Sequence, residues 1–226
     1  AASDVYKRQQ LYSYQNAMFA LSQEVIREAT GQEFNILLKH RFFRPLGMNA
    51  SSTNTKALSS TENVALPHSK QRRGWKSLPL NNHYDNAVAA GGINSSALDM
   101  GKWMRFLLGH NATVLHSAKI ANAFNPIVEI GKNNKYYQRW PGYVQSHYGL
   151  GWRIHTFRNY GSTINKTVLH HGGSVNSYRN EIALYPEADL GICVLLNGQS
   201  RLAQTVIPDL YKIVMAVYEE TSEIKS

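Results

Sequence analysis

Four short segments near the C-terminal end constrain the fold most. They are YGLGWRIHTF, KTVLHHGG, RNEIALYPE and DLGICVLLN, in that order between Tyr148 and Asn197. Each reads as a strand: β-branched and aromatic residues bounded by Gly, Pro, Asn or Asp. The last two are separated only by the turn-forming PEAD, which predicts a hairpin. Beyond them, Leu202, Val206, Leu210, Ile213 and Val217 recur at steps of three or four, the period of a helix. Pro208 lies inside that stretch and either kinks the helix or marks a late start.

Upstream of about His147 the texture is helical and loop-rich. Asn16 to Ala29 is predicted to be one helix, with Met18, Leu21, Val25 and Ile26 on one apolar face and Gly31 as its stop. Phe34, Leu37, Leu38 and Phe42 form a second stripe, closed by Pro45 and Gly47. A third helix starts at Ser96, which has capping-box spacing to Asp99. Its expected buried face is Ala97, Met100, Met104, Leu107 and Leu108. Residues 49–90 and 110–146 read as loops. The order of elements predicts an α+β fold: an antiparallel sheet flanked by helices beside a mostly helical region. Residues 10–146 are assigned to the helical region and 147–226 to the strands and terminal helix.

With 43% apolar and 17% charged residues, the 226-residue chain has the composition of a globular protein. No run approaches the roughly 18 apolar residues of a membrane span. The single cysteine, Cys193, reads as a small core residue. Net charge is +9, and the densest basic patch is SKQRRGWK, Ser69 to Lys76. A nucleic-acid site would want that patch on a regular element with aromatic stacking partners. It lies among Asn, Pro and Ser and is expected to be a solvated loop, although a positive surface favours anionic partners such as cell-wall polymers. The first nine residues, AASDVYKRQ, have neither an apolar run nor a structural period. The DNA reading GCA GCG TCA GAT GTG TAT AAG AGA CAG resembles a transposon sequencing adapter. Ala1–Gln9 is therefore expected to be a library scar, with the gene interrupted upstream of Gln10.

Two short motifs could carry chemistry: Tyr14-Gln15-Asn16 at the mouth of the first helix, and His171-Gly172-Gly173 at the end of a strand. Alone, each has an ordinary reading. The tyrosine and asparagine could be a packing ring and an N-cap, and the glycines a turn. In their order and flanks they carry more. YSYQNAMFALSQEVIREATG, AAGGINSSALDMGKWMRFLL, YGLGWRI and LHHGGSVNSYRNEIALYPEADLGICVLLN together resemble the serine β-lactamase and penicillin-binding-protein superfamily. The similarity is to its branch of class C β-lactamases, D-stereospecific peptidases and related esterases.

That resemblance implies a serine that attacks a carbonyl and forms an acyl-enzyme, which water then cleaves. It implies a substrate that is a small molecule or peptide, with no metal or organic cofactor and no nucleic acid. Tyr14 matches the family's base, which needs nearby cations. Asn16 matches the residue that bonds the substrate amide. His171 stands where many relatives have lysine, placed to bond the tyrosine hydroxyl or a substrate carboxylate. Gly172 and Gly173 would let substrate lie along the strand, and the Ser174 N–H matches an oxyanion-hole donor. His170 and His171, adjacent on a strand, face opposite sides and lack partners at metal-ligand spacing. Tyr178 and Arg179 could line the groove or be ordinary strand residues.

The family's nucleophile sits in Ser-x-x-Lys upstream of Tyr-x-Asn, and nothing before Tyr14 contains it. The one Ser-x-x-Lys, Ser222 to Lys225, follows every other motif and reads as chance. The nucleophile helix and first strands are thus expected to be missing, and the chain itself inactive. Relatives of this kind imply a periplasmic or envelope location. A different class stays open: a non-catalytic module that recognises cell-wall peptide or a partner protein. An intact upstream Ser-x-x-Lys in frame would separate the two.

Overall fold

The computed structural model describes residues 11–158 and 162–223, the last five of these in their backbone alone. The expected scar, Ala1–Gln9, lies outside the described residues, as does Lys225 of the C-terminal Ser-x-x-Lys. The four strand segments form the body of a six-stranded antiparallel meander. Its strands are β3 (Val128–Glu129), β4 (Tyr143–Tyr148), β5 (Arg153–Arg158), β6 (Asn165–Val175), β7 (Tyr178–Tyr185) and β8 (Leu190–Leu196). They lie side by side in sequence order. PEAD turns β7 into β8, with Asp189 in the left-handed region at φ 46°. The sheet starts earlier than the texture change predicts. The boundary at 146/147 falls inside β4, because β3 and the front of β4 are short and sit among Gly, Pro and Asn.

The terminal helix α7 (Val206–Glu223) packs on β7 and β8. Pro208 sits in its first turn, where no intrahelical N–H is needed, so it marks a late start and not a kink. Leu202 belongs to the 3-10 turn before it. Ile207 and Val206 join Val168, Ala183, Tyr185 and Ile192 in one core, which Tyr137 and Trp140 close. The opposite face of β8 meets α5 (Ala97–Leu107), where Gly191 leaves room for Met104. No described helix is long and apolar enough to cross a membrane.

The helical region differs from expectation in several places. The first helix is broken into α1 (Asn16–Ala20) and α2 (Ser22–Thr30). At the break, the Ser22 hydroxyl donates to the Phe19 carbonyl at 2.7 Å, a local bond that competes with the helical ladder. Gly31 caps α2 at φ 65°, but Met18, Leu21 and Val25 are each more than half exposed. Phe34 to Leu38 form α3, and a π-helical turn over Lys39–Phe43 follows. Phe42 and Phe43 both reach the second core, with Leu38, Leu46, Met48, Phe106 and Ile120.

In α5, Ser96 caps as expected, accepting from the Asp99 N–H at 3.2 Å. The Asp99 carboxylate does not reach back. It is buried and accepts from the Ala50 N–H at 2.8 Å and the Ser51 hydroxyl at 2.9 Å, tying α5 to the preceding loop. Phe106, not Ala97, is the fully buried apolar side chain of this helix. The loop-rich stretch holds α4 (Thr55–Ser59) and a hairpin of β1 (His68–Gln71) and β2 (Gly74–Ser77). The basic patch is thus a hairpin and not a loop. Both strands are so exposed that no apolar alternation marks them in the sequence. Between His116 and Val128 run α6 (Ser117–Ala121) and a 3-10 turn.

Candidate active site

Tyr14, Asn16 and His171, 155 and 157 positions apart in the chain, line one cleft of about 520 Å³. The segment before α1 forms one wall, the β4 end and β6 another, and Ala89–Ala90 a third. Gln23 holds that third wall, its Oε1 accepting from the Ala89 N–H at 2.7 Å. Asn16 is the first residue of α1. Gln15 is the N-cap and makes no side-chain cap bond, so Asn16 is not spent on capping. The Tyr14 ring lies 5.9 Å from that of His171 and 6.3 Å, edge-on, from that of Tyr148.

The tyrosine bonded to His171 is Tyr148, not Tyr14. Its hydroxyl lies 3.2 Å from His171 Nε2. Burial first, and then the Arg153 charge, push His171 down to about 3. Burial also raises Tyr148 above the usual phenol range. The bond is therefore a protonated phenol donating to a neutral imidazole. Where a lysine would bring a positive charge, His171 brings none at neutral pH. The Arg153 guanidinium lies 6.0 Å from the Tyr14 ring and 5.1 Å from Tyr137. Its Nε and Nη1 are buried with no hydrogen-bond partner among the described residues.

The two glycines of His-Gly-Gly do different things. A Cβ on Gly172 would sit 2.3 Å from the Tyr136 hydroxyl and 2.5 Å from Glu181 Oε2. Gly172 therefore faces the packed side of the sheet, and its expected role in clearing room for substrate is corrected. Gly173, one residue on, points the other way into open space. Gly172→Ala is expected to destabilise the chain by about 3 kcal/mol through overpacking, and Gly173→Ala far less. Urea denaturation of both variants checks this; equal midpoints would place Gly172 on the wrong face. Ser174 lies outside the cleft, its hydroxyl accepting from Gln199 Nε2 at 2.8 Å. Tyr178 donates to the Ala65 carbonyl and Arg179 pairs with Glu181, so both are structural ties here.

Beneath β6, on the Gly172 side, runs a polar chain that the sequence did not announce. Ser146 Oγ lies 2.6 Å from His155 Nδ1, His155 Nε2 3.1 Å from His170 Nδ1, and His170 Nε2 2.8 Å from Glu181 Oε2. The network assigns one proton to each imidazole, on Nε2, so that each donates to the next member. Tyr136 also donates to Glu181, and Arg179 pairs with it at 2.6 Å. Ser146, His155, His170 and Glu181 are all buried. Burial drives both histidines well below the ordinary imidazole range and raises Glu181. The register that pairs Gly172 with Glu181 and His170 with Ala183 is what assembles this chain.

The described meander with helices on both faces, and a family model for Beta-lactamase that matches residues 3–211, decide the family. The chain belongs to the beta-lactamase family. Among solved structures, this beta-lactamase family chain resembles an octameric penicillin-binding protein homologue from Pyrococcus abyssi. The TM-score is 0.72 at 22% identity, over 92% of this chain and 44% of that one. A D-amino acid amidase from Ochrobactrum anthropi SV3 gives a TM-score of 0.65 at 18% identity, covering 93% and 58%. In sequence, it is 23% identical over 189 residues to "Unguisins hydrolase ungD'" of Aspergillus campestris (strain IBT 28561), across 82% of this chain and 33% of that protein. The chain thus spans about a third of the length of the curated relatives it matches.

Proposed function

We propose that the whole protein is a serine hydrolase of the beta-lactamase family that cleaves an amide or ester through an acyl-enzyme. The observation that carries this reading is the convergence of Tyr14, Asn16 and His171 on one cleft. In the proposed reaction, a serine hydroxyl attacks the substrate carbonyl, and Tyr14 acts as the general base that takes its proton. The Asn16 amide bonds the substrate. Collapse of the tetrahedral intermediate expels the amine or alcohol, which receives that proton, and water then releases the acid. A neutral His171 favours substrates that do not depend on a second ammonium charge. That argues for a D-amino-acid amide, peptide or carboxylic ester over efficient β-lactam hydrolysis. The D-amino acid amidase among the similar structures supports an amide substrate, and the unguisins hydrolase supports a hydrolytic reaction.

Full-length protein recovered from the upstream DNA is expected to carry Ser-x-x-Lys and to label with a fluorescent penicillin or an activated-ester probe. No labelling by either probe would count decisively against the acyl-enzyme. Comparing nitrocefin, p-nitrophenyl butyrate and a D-Ala-D-Ala peptide then ranks the substrates. The 226-residue chain alone is expected to show no turnover. Hydrolysis by it that Ser222→Ala abolishes would transfer the nucleophile to the C-terminal motif.

A further inference from the structure

A second, smaller cleft of about 250 Å³ lies between the exposed hairpin and the end of β8, lined by His68, Trp75, Leu196, Asn197, Gly198 and Ser200. The hairpin is stitched there. The His68 N–H donates to the Asn197 carbonyl at 2.7 Å, and Asn197 Nδ2 donates to the Leu66 carbonyl at 3.0 Å. Trp75 lies against Gly198 so closely that a Cβ there would come within 2.7 Å of the indole, yet half of Trp75 stays exposed. Gly198 is thus the residue that lets an aromatic plate rest on the chain and still face solvent.

The charge around this plate has one sign. No Asp or Glu occurs between Glu62 and Asp85, a stretch that holds Lys70, Arg72, Arg73 and Lys76. The hairpin register sets Lys70 directly across from Trp75, so their side chains share a face, and it puts Arg72 and Arg73 at the turn. No ion pair joins these four cations to a carboxylate among the described residues. Next to Gly198 in sequence, Gln199 holds the hydroxyl of Ser174, on the strand that also carries His171. The plate therefore lies just past the His171-Gly172-Gly173-Ser174 strand end.

We propose that this cleft is a subsite for a flat ring bearing an acidic group. The ring stacks on Trp75, and the carboxylate pairs with Lys70 and the turn arginines. As a substrate subsite it rests on the acyl-enzyme reading, since a substrate lying along β6 past Ser174 then reaches Trp75. The binding itself needs no nucleophile and is measured on the 226-residue chain, so its failure and the failure of that reading are separable.

Indole-3-acetate and its uncharged counterpart, indole-3-acetamide, are the probes, titrated while the tryptophan indole N–H resonances are followed by NMR. The acid is expected to perturb Trp75 and to bind about tenfold more tightly than the amide at low salt. Half-molar salt is expected to erase that preference by screening an exposed pair. Lys70→Gln, a change at an exposed position, is expected to weaken the acid and leave the amide unchanged. Trp75→Ala is expected to weaken both. Equal binding of acid and amide, shifts confined to other tryptophans, or a Lys70→Gln variant indistinguishable from the parent chain would each overturn the subsite.

Discussion

Acidifying the chain from pH 7 to pH 5 is expected to remove on the order of 4 kcal/mol of stability. The source is the buried pair His155 and His170, both held neutral far below the imidazole range by burial. The sign follows from proton counting. Below about pH 6.5 the unfolded chain gains a proton on each of these histidines and the folded chain does not. Unfolding therefore becomes easier as pH falls, by about 2 kcal/mol per histidine at pH 5. His171, lowered to about 3, adds in the same direction. Glu181 opposes them: its carboxyl is raised by burial, so its protonation favours the folded state at acid pH and offsets part of the loss. Domains of this size hold about 5–15 kcal/mol in all, so the effect is large. Urea melts at pH 7, 6 and 5 check it. A midpoint that stays constant would mean that the imidazoles are not the neutral buried pair described.

Tyr14→Phe in the full-length protein is expected to lower kcat/KM by about 10²–10⁴-fold, the range lost with a general base. Folding is expected to be unchanged. Tyr14 is 47% exposed, and phenylalanine keeps its ring contacts with His171 and Tyr148. The pairing of full stability with lost rate separates a base from a packing ring. A rate within about threefold of the parent would leave Tyr14 as a ring and move the proton transfer to another group. The Tyr148 hydroxyl is less suited to replace it: it is raised above the usual phenol range by burial and already donates to His171.

The placement of Tyr14 and Asn16 at a helix start was legible because cap chemistry marks such boundaries. His171-Gly172-Gly173, by contrast, lies within β6 and not at its end: Gly172, facing the packed side of the sheet, continues a strand that a turn reading would stop. His170 and His171 were legible as opposite-facing from strand alternation alone. Tyr148 was not, because no local pattern says which of several tyrosines a strand histidine will meet. Neither was the hairpin at Ser69–Lys76, whose exposed strands leave no apolar period.

The sequence alone determined the four strands β5 to β8, the Gly31 and Ser96 helix ends, the turn at PEAD and the family motifs. These depend on periodicities and turn residues a few positions apart. Tertiary structure decided that Gly172 faces Tyr136 and Glu181, that His170 joins a buried relay, and that Trp75 rests on Gly198. Sheet register and twist fix those meetings between residues 9 to 123 positions apart, and one-residue shifts in register would exchange the two faces of every strand.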